Sequence, residues 1–494
     1  MPTGGYQVDN GDIVMTFQRR DFLKTAVAAG TAIALPAAGY GRILGANDKV
    51  NCAVIGVRSR GLDHIAGLKE NVVALCDCDE ELLNQQAAGK EVERFQDYRK
   101  LLDNPSIDAV SIATPNHSHA LIGITALMAG KHVYVEKPVS HNVWEGRQLV
   151  AAQTTYNRVV QCGTQSRSSP SLKEAVEFVR AGKLGRIQYA IGTCFKPRKN
   201  IGKLPQPLPI PATIDYDLWC GPAEKRAIYR PSLHYDWHWD FNTGSGDMGN
   251  QGIHQMDIAR WFLGYESISP RVLSVGGRLG YDDAGNTPNS QVVFHDYPEA
   301  PLIFETRGLP KAFEFQTGVD ENQWDRQMDD YRGSRVGVVI QCEQGYVLIP
   351  SYTDAAAYGN DGQPIQNWSG GGDHYANFLD AVRANDPSLL NAPVVAGHLS
   401  SALCHTGNVS HQLGKAMPLA DIRSAISTEC DLFQASVGRL VEHLKANQVD
   451  VTKDVLTMGI DLKMDPSTEQ VTNHERGNQL MSREYRAGFE VGKI

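Results

Sequence analysis

The 494-residue sequence predicts an α/β fold in two parts, a doubly wound parallel sheet followed by an α+β region with a large, mostly antiparallel sheet. Two patterns predict this fold. Between residues 49 and 165, short apolar segments alternate with segments of helical periodicity, as in parallel strands joined by helices. Between Pro270 and Pro350, strand-like segments follow one another with no helix between them, as in antiparallel sheets.

The N-terminal residues have the features of an export signal. Arg19 and Arg20 precede a modest apolar run over 25–35, and small residues follow it. This order resembles a bacterial twin-arginine signal, which exports folded proteins. The alternative is a buried amphipathic helix after a basic pair, but no helical charge pattern is present. We expect residues 1–46 to be a signal and unstructured leader, and the protein to be exported to the periplasm.

An apolar strand ending at Gly56 opens the parallel sheet, and a second strand, 72–76, ends at Asp77. This spacing is that of a dinucleotide-binding βαβ unit, in which Gly56 allows a sharp turn and Gly61 lets the helix pack closely. Asp77 would bind ribose hydroxyls and repel a 2′-phosphate, which favours NAD over NADP. The middle glycine of the usual fingerprint is Arg58, which can reach a pyrophosphate as a charged clamp. A plain βαβ turn is the alternative.

Polar residues follow the later strands of this sheet where each strand ends. The expected helices cover 79–95, 98–102, about 120–129 and about 143–155, and the expected strands cover 107–114, 131–137 and 158–165. Because ligands of parallel sheets bind at the carboxyl ends of the strands, we expect a nucleotide site there. Its candidate residues are Gly56, Arg58, Ser59, Arg60, Asp77, Thr114, Asn116, His119, Glu136, Lys137 and Gln165.

The segment Lys196–Gly246 is long, irregular and rich in proline and aromatic residues. Loops of this length inside a domain are usually functional or linkers, and linkers rarely contain so many Trp and Tyr residues. We therefore expect a loop that faces the substrate. The alternative is a small satellite core under a long loop.

A glycine-rich turn after this loop leads into a helix. The helix should present Asn250, His254 and Asp257 on one face, because they are spaced at i, i+4 and i+7. Two more helices are expected, at about 374–384 and 398–413. Residues 421–494 are charged and irregular, with short helical pieces, and are expected to wrap the surface or a neighbouring subunit.

Composition limits the classes of function. A net charge of −9 argues against nucleic acid as the main partner, and the body of the chain has no apolar run long enough to span a bilayer. The nine cysteines are scattered without a CxxC pair, as expected of buried core thiols. The histidines and cysteines show no metal-ligand spacing, so we propose no metal.

Four motifs resemble the Gfo/Idh/MocA oxidoreductase family, and the resemblance covers about residues 49–414. The motifs are Thr-Pro-Asn-His-Ser-His at 114–119, Glu-Lys-Pro at 136–138, Cys-Gly-Pro at 220–222 and Gly-Asp-His-Tyr-Ala-Asn-Phe-Leu-Asp at 372–380. The exported branch with a twin-arginine signal is the most similar. The resemblance implies a Rossmann domain, an α/β domain with an open sheet, and a homo-dimer or homo-tetramer. We expect an NAD-binding Rossmann domain at 47–168, a substrate and oligomerisation domain at 169–420, and an extension at 421–494.

The resemblance also implies bound NAD(H) or NADP(H) and hydride transfer at a sugar or cyclitol carbon. Lys137 matches the catalytic lysine of the family and His254 its histidine, whereas Asn250 replaces the usual aspartate. The chemistry agrees, since a histidine can take the alcohol proton and an ammonium stabilises negative charge on the oxygen. Candidate substrate contacts are Arg167, Lys196, Tyr235, Trp237, His238, Asn250 and Asp257.

Three functions are compatible with these residues. The first is an NAD-dependent sugar or glycoside dehydrogenase, with NAD held tightly because the periplasm offers no free nicotinamide pool. The second is a glycoside hydrolase that oxidises its substrate transiently, eliminates the aglycone, adds water and reduces the product back. The third is a non-catalytic nucleotide- or sugar-binding protein, which only Arg58 and Asn250 favour.

Overall fold

The computed structural model describes residues 49–316, 324–453 and 455–494. The expected signal and leader, residues 1–46, lie outside the described residues. Among those described, no helix combines the length and the apolar character that crossing a membrane requires. All nine cysteines fall within the described ranges, and none forms a disulfide.

The first layer is a six-stranded parallel sheet in the order β3-β2-β1-β4-β5-β6. Its strands are β1 (Cys52–Ile55), β2 (Val72–Cys76), β3 (Glu93–Phe95), β4 (Ala109–Ile112), β5 (His132–Val135) and β6 (Val160–Cys162). The helices that connect or follow them are α1 (Arg60–Leu68), α2 (Glu80–Ala87), α3 (Tyr98–Leu102), α4 (His119–Met128), α5 (Val143–Tyr156) and α6 (Pro170–Arg180). This is the doubly wound sheet that the sequence predicts. The order in which strands are added to the sheet reverses between β1 and β4.

The helix expected over residues 79–95 is wrong in its second half. Helix α2 ends at Ala87, Gly89 adopts a positive φ of 72°, and Glu93–Phe95 form the edge strand β3 against β2. Helical periodicity does not detect a three-residue strand, because parallel pairing with a distant segment determines it.

The second layer is a twelve-stranded sheet in the described part of the chain, with one parallel pair, β7–β10, among antiparallel neighbours. Its strands are β7 (Ile187–Phe195), β8 (Arg271–Gly277), β9 (Ser290–His295), β10 (Leu302–Arg307), β11 (Val336–Cys342), β12 (Gly345–Ile349), β13 (Asp354–Gly359), β14 (Pro364–Ser369), β15 (Lys415–Met417), β16 (Leu456–Met458), β17 (Leu462–Asp465) and β18 (Gln470–Val471). The remaining helices are α7 (Tyr216–Cys220), α8 (Ile253–Leu263), α9 (His374–Ala384), α10 (Val394–Gln412), α11 (Leu419–Ala425), α12 (Asp431–Ala446) and α13 (Glu475–Leu480).

Helices cover the central strands of this sheet on both faces. On one face, α6, α8 and α10 pack over strand residues such as Phe304. On the other, Phe433, Val437 and Leu440 of α12 pack against Phe294 and its neighbours. The extension thus contains a 16-residue amphipathic helix where the sequence suggested irregular chain with only short helical pieces. It covers a face that the resemblance implied would be open.

Candidate active site

A cleft of about 280 Å³ lies at the carboxyl ends of β1, β2, β4 and β5. It is lined by most of the nucleotide candidates, which come from four strand ends: Gly56, Arg58, Ser59, Arg60, Asp77, Thr114, Asn116, His119, Glu136 and Lys137. Four substrate candidates line it as well, namely Tyr235, Trp237, His238 and Asn250. The parallel topology therefore brings together residues that lie far apart in the sequence.

The glycine turn after β1 has no room for side chains. Gly56 has a φ of +86°, and a Cβ added there would lie 2.7 Å from the Ala113 carbonyl oxygen. A Cβ on Gly61 would lie 1.9 Å from the Gly56 carbonyl oxygen. Both positions therefore require glycine, for conformation at Gly56 and for close packing at Gly61. Ser59, at the start of α1, also has a positive φ, of 42°.

Asp77 braces this turn from the end of β2. One carboxylate oxygen accepts a hydrogen bond from Val57 N–H at 3.0 Å, and the other accepts from Asp79 N–H at 3.0 Å. Burial raises the pKa of Asp77, while these two donors and the Arg58 charge oppose the rise. Each oxygen retains a second lone pair for a ribose hydroxyl. Arg58 is exposed at the rim of the same cleft.

Glu136, directly after β5, is the centre of a buried polar cluster. Its Oε1 accepts hydrogen bonds from Arg60 Nε at 2.7 Å and Gln165 Nε2 at 3.1 Å, and lies 3.2 Å from His64 Nε2. Burial alone would raise the pKa of Glu136, but Arg60, His64 and Lys137 hold it well below its usual range. The cluster fixes β5 relative to α1 and holds an ionised carboxylate next to Lys137.

This depressed pKa makes a contribution to stability that depends on pH. The contribution is complete above about pH 4.5, the ordinary pKa of the group, and is lost as the pH falls towards the lower folded-state pKa. We expect Glu136→Gln to lower the free energy of unfolding at pH 7 by about 2 kcal/mol, less than for a fully buried pair because Arg60 is 40% exposed. Urea unfolding of the wild-type protein and Glu136→Gln between pH 7 and pH 3 measures the difference in unfolding free energy. Glu177→Gln, at an exposed position, is the control. A difference in unfolding free energy that stays constant over this pH range would contradict the lowered pKa of Glu136.

Lys137 extends from the same strand end into the cleft. Its Nζ donates a hydrogen bond of 2.6 Å to the Asn250 carbonyl oxygen, and its peptide bond to Pro138 is cis. Burial lowers the pKa of Lys137, and the adjacent Glu136 opposes that effect. One ammonium donor is thus directed at the glycine-rich turn, which leaves two for a ligand in the cleft.

Asn250 and His254 do not share a regular helical face as expected. Met248–Gly252 form a π-helical turn, and α8 begins only at Ile253. The wider turn shifts the spacing, so Asn250 lines the cleft whereas the His254 ring packs on Tyr352 at a centroid distance of 4.8 Å. Burial and the charge of Lys137 lower the pKa of His254 to about 3. The imidazole is therefore neutral at pH 7.

The long aromatic loop forms a small satellite core and also lines the cleft, so both structures expected from its sequence are present. Residues from Ile214 to Leu233, among them Trp219, form a small buried cluster, as in a satellite core. Tyr235, Trp237 and His238 line the cleft, and the Trp237 and His238 rings stack at 3.6 Å. The loop thus packs on its own core and presents an aromatic wall to the ligand space.

Several candidates are occupied elsewhere in the structure. Arg167 makes a bidentate ion pair with Asp257 at 2.9–3.0 Å, and Asp257 also accepts from Ser400, so both charges serve buried packing instead of the cleft. Exposed Lys196 and half-buried Gln165 also lie outside the cleft lining. His119 lines it, but its ring nitrogens face the Thr114 and Pro138 carbonyl oxygens at 2.7 Å, so it links β4 to β5.

Two residues, Phe489 in the cleft and Tyr352 beside the His254 ring, have no clear sequence signal. Tyr352, on the turn between β12 and β13, is 44% exposed, and its hydroxyl accepts a 2.8 Å hydrogen bond from Gln251 beside His254. Phe489, close to the C-terminus, lines the end of the cleft near Tyr98. Neither lies in a motif, and only the tertiary fold brings them to the site.

Comparison with known proteins agrees with this geometry. A model described as an oxidoreductase family with an NAD-binding Rossmann fold matches residues 50–164, and the model of that family's C-terminal alpha/beta domain matches residues 189–307. The levoglucosan dehydrogenase of Pseudarthrobacter phenanthrenivorans is 29% identical over 198 residues, which are 39% of this chain and 43% of that protein. A glycosyl hydrolase family 109 protein of Shewanella pealeana is 29% identical over 211 residues, 35% and 45% of the two chains.

These matches span less than half of either relative's length. Among solved structures, the WlbA dehydrogenase from Bordetella pertussis in complex with NADH and UDP-GlcNAcA superposes with a TM-score of 0.53. It is 18% identical, and the match covers 72% of this chain and 94% of that one. At this identity the likeness shows a shared fold.

Proposed function

The chain belongs to the Gfo/Idh/MocA oxidoreductase family, and we propose that it transfers hydride between a sugar or glycoside carbinol and a nicotinamide dinucleotide. One observation carries the proposal. The Lys137 ammonium, with a pKa lowered by burial, lies in the same cleft as the glycine turn and Asp77. An ammonium beside a dinucleotide cradle can hold a carbinol oxygen next to a hydride acceptor.

The residues present fit a nicotinamide dinucleotide. Gly56 and Gly61 keep the turn free of side chains, and the start of α1 offers free N–H groups to phosphate. Asp77 would hold the ribose hydroxyls, and Arg58 at the rim would face the pyrophosphate. The bound cofactor supplies the hydride acceptor or donor; positioning and proton chemistry fall to the residues of the chain.

Lys137 has the central role in that chemistry. Two of its Nζ donors are left after the bond to Asn250, so it can bind the substrate oxygen and stabilise negative charge as the carbon is oxidised. His254, neutral and with a pKa of about 3, is a weak base and packs on Tyr352. In carbinol oxidation the neutral amine form of Lys137, which its lowered pKa favours, accepts the alcohol proton, and in the reverse reaction the ammonium returns it. Asn250 orients a hydroxyl where an aspartate would relay a proton.

Hydrolysis by transient oxidation is a second candidate, which the likeness to a glycosyl hydrolase family 109 protein favours. It needs a further acid or base, and the Tyr352 hydroxyl beside His254 is a candidate that the sequence did not reveal. Incubation with sugars, cyclitols and aryl glycosides separates the two reactions. Net NADH formation supports the dehydrogenase, whereas aglycone release without net NADH supports the hydrolase.

We expect NAD to bind more tightly than NADP. The Asp77 carboxylate, held by Val57 and Asp79, would face a 2′-phosphate with like charge. Asp77→Asn keeps the shape and removes the charge, so it should raise NADP affinity about tenfold relative to NAD. Titration of both nucleotides into both proteins measures the ratio. Preference of the wild-type protein for NADP would contradict this role of Asp77.

We propose export by the twin-arginine route, on the basis of Arg19-Arg20 and the run that follows them. The wild-type protein is then expected in the periplasmic fraction of a bacterial host, and a variant with Arg19→Lys and Arg20→Lys in the cytoplasm. Fractionation followed by immunoblotting measures this. Unchanged export of the double variant would rule out the route.

The homo-dimer or homo-tetramer stays a prediction, and α12 limits the surface that such an oligomer could use. Because α12 covers the central strands of the sheet face that the resemblance implied would be open, those strands are not available to a partner subunit.

A further inference from the structure

The C-terminal strap, residues 482–494, reaches the cofactor cleft. Phe489 is 4% exposed and lines the cleft, and it belongs to the same apolar cluster as Tyr98, Leu121 and Ile122. Leu218 of the aromatic loop packs against that cluster. The strap therefore supplies part of the cleft wall, together with the parallel-sheet layer and the loop.

Specific contacts hold the strap in this position. The Arg486 guanidinium donates to the Asp217 and Gly221 carbonyl oxygens at 3.1 and 2.9 Å, pairs with the Asp217 carboxylate, and lies 4.9 Å from the Phe489 ring centre. Beyond Phe489, Trp144 Nε1 donates to the Val491 carbonyl oxygen at 3.3 Å. The strap thus joins the aromatic loop to α5 with Phe489 between the two anchors.

The position of Phe489 identifies the end of the cleft that it closes. Tyr98 follows β3 at one edge of the parallel sheet, and Arg99 lies 5.7 Å from the Phe489 ring centre. Lys137 follows β5 on the opposite side of the glycine turn. Phe489 therefore lies at the end of the cleft near Asp77. A dinucleotide bound at this glycine turn places its adenine at that end and its nicotinamide at the other.

We propose that Phe489 and the strap form the wall of an adenine pocket and slow the release of the dinucleotide. This inference rests on the proposed function. The walls contributed by Tyr98, Leu121, Leu218 and Phe489 are apolar or aromatic, which suits a flat, uncharged purine. The 482–494 segment is therefore a part of the cofactor site, although it lies more than 400 residues from the glycine turn in sequence.

The test compares NADH with NMNH, which lacks the adenine nucleotide half. In Phe489→Ala, we expect NADH to dissociate about tenfold faster, about 1.4 kcal/mol, while NMNH binds as to the wild-type protein. Val491→Ala is the matched control, because Val491 is in the same strap and is 5% exposed but does not line the cleft. Stopped-flow displacement of NADH measures the rates, and Phe489→Leu, which keeps the apolar packing, guards against a folding defect.

The outcomes separate this inference from the proposed function. Equal rates of NADH dissociation from Phe489→Ala, Phe489→Leu and the wild-type protein would contradict the proposal that Phe489 forms part of an adenine pocket. That result would not affect the proposal of hydride transfer. Binding of AMP that weakens in Phe489→Ala, in a wild-type protein that oxidises no carbinol, supports the wall and overturns the proposed function. A wild-type protein that binds neither NADH nor AMP overturns both.

Discussion

Replacing Lys137 with methionine is expected to lower kcat about 100-fold or more, with a smaller effect on cofactor affinity. Lys137 is a cationic side chain that lines the cleft and contacts Asn250, and its Nζ retains two donors for a substrate oxygen. Removing one preorganised donor to a developing negative charge costs about 2.7–4 kcal/mol of transition-state stabilisation. Methionine keeps much of the chain length, so packing around β5 should change little.

Lys196→Met is the matched control for this experiment. Lys196 is exposed and lies outside the cleft lining, so the same substitution should leave kcat and KM near their wild-type values. Undiminished turnover of Lys137→Met with the control unchanged would contradict the mechanism. The pH profile adds a second readout, since the pKa of Lys137 is lowered by burial and the basic limb that its ammonium sets as proton donor in carbonyl reduction should vanish in the variant.

Gly61→Ala is expected to weaken nucleotide binding strongly. The new Cβ would meet the Gly56 carbonyl oxygen at 1.9 Å, and neither atom can move unless α1 shifts away from the turn. The shift would break the contact between α1 and Glu136 through Arg60 and displace the N–H groups at the start of α1 that we propose bind phosphate. We expect NADH affinity to fall by about 100-fold or more, since phosphate contacts and the cradle are lost together.

Gly438→Ala controls for the substitution itself. Gly438 lies in α12, where an added Cβ meets nothing within 4 Å, so alanine should be neutral or slightly stabilising. Isothermal titration with NADH measures binding for both variants, and circular dichroism reports whether they fold. Wild-type affinity in Gly61→Ala would show that the turn does not cradle the nucleotide.

Local sequence was sufficient where one short segment determines the geometry. The Gly56 turn, the acid at Asp77 and the polar ends of β4 and β5 follow from strand periodicity and from the rule that parallel strands present ligands at their carboxyl ends. Helix α9 was predicted at its observed bounds, His374–Ala384, because its cap and its apolar stripe are both local.

The sequence was insufficient to predict the position of a side chain where contacts with residues distant in sequence determine it. Arg167 and Asp257 looked like substrate ligands, but 90 residues apart in sequence they form an ion pair with each other. The π-helical turn before α8 displaced His254 from the face shared with Asn250, and periodicity at 3.6 residues gives no sign of such a turn. Helix α12 and Phe489 derive their roles from the surfaces that they cover, which no motif records.

The most direct test of the central claim is the nucleotide content and hydride chemistry of the purified protein. Denaturation should release a nicotinamide dinucleotide, or the protein should bind added NADH, and a sugar, cyclitol or glycoside should then change its redox state in a manner that Lys137→Met abolishes. A wild-type protein that neither carries nor binds a nicotinamide dinucleotide would contradict the account.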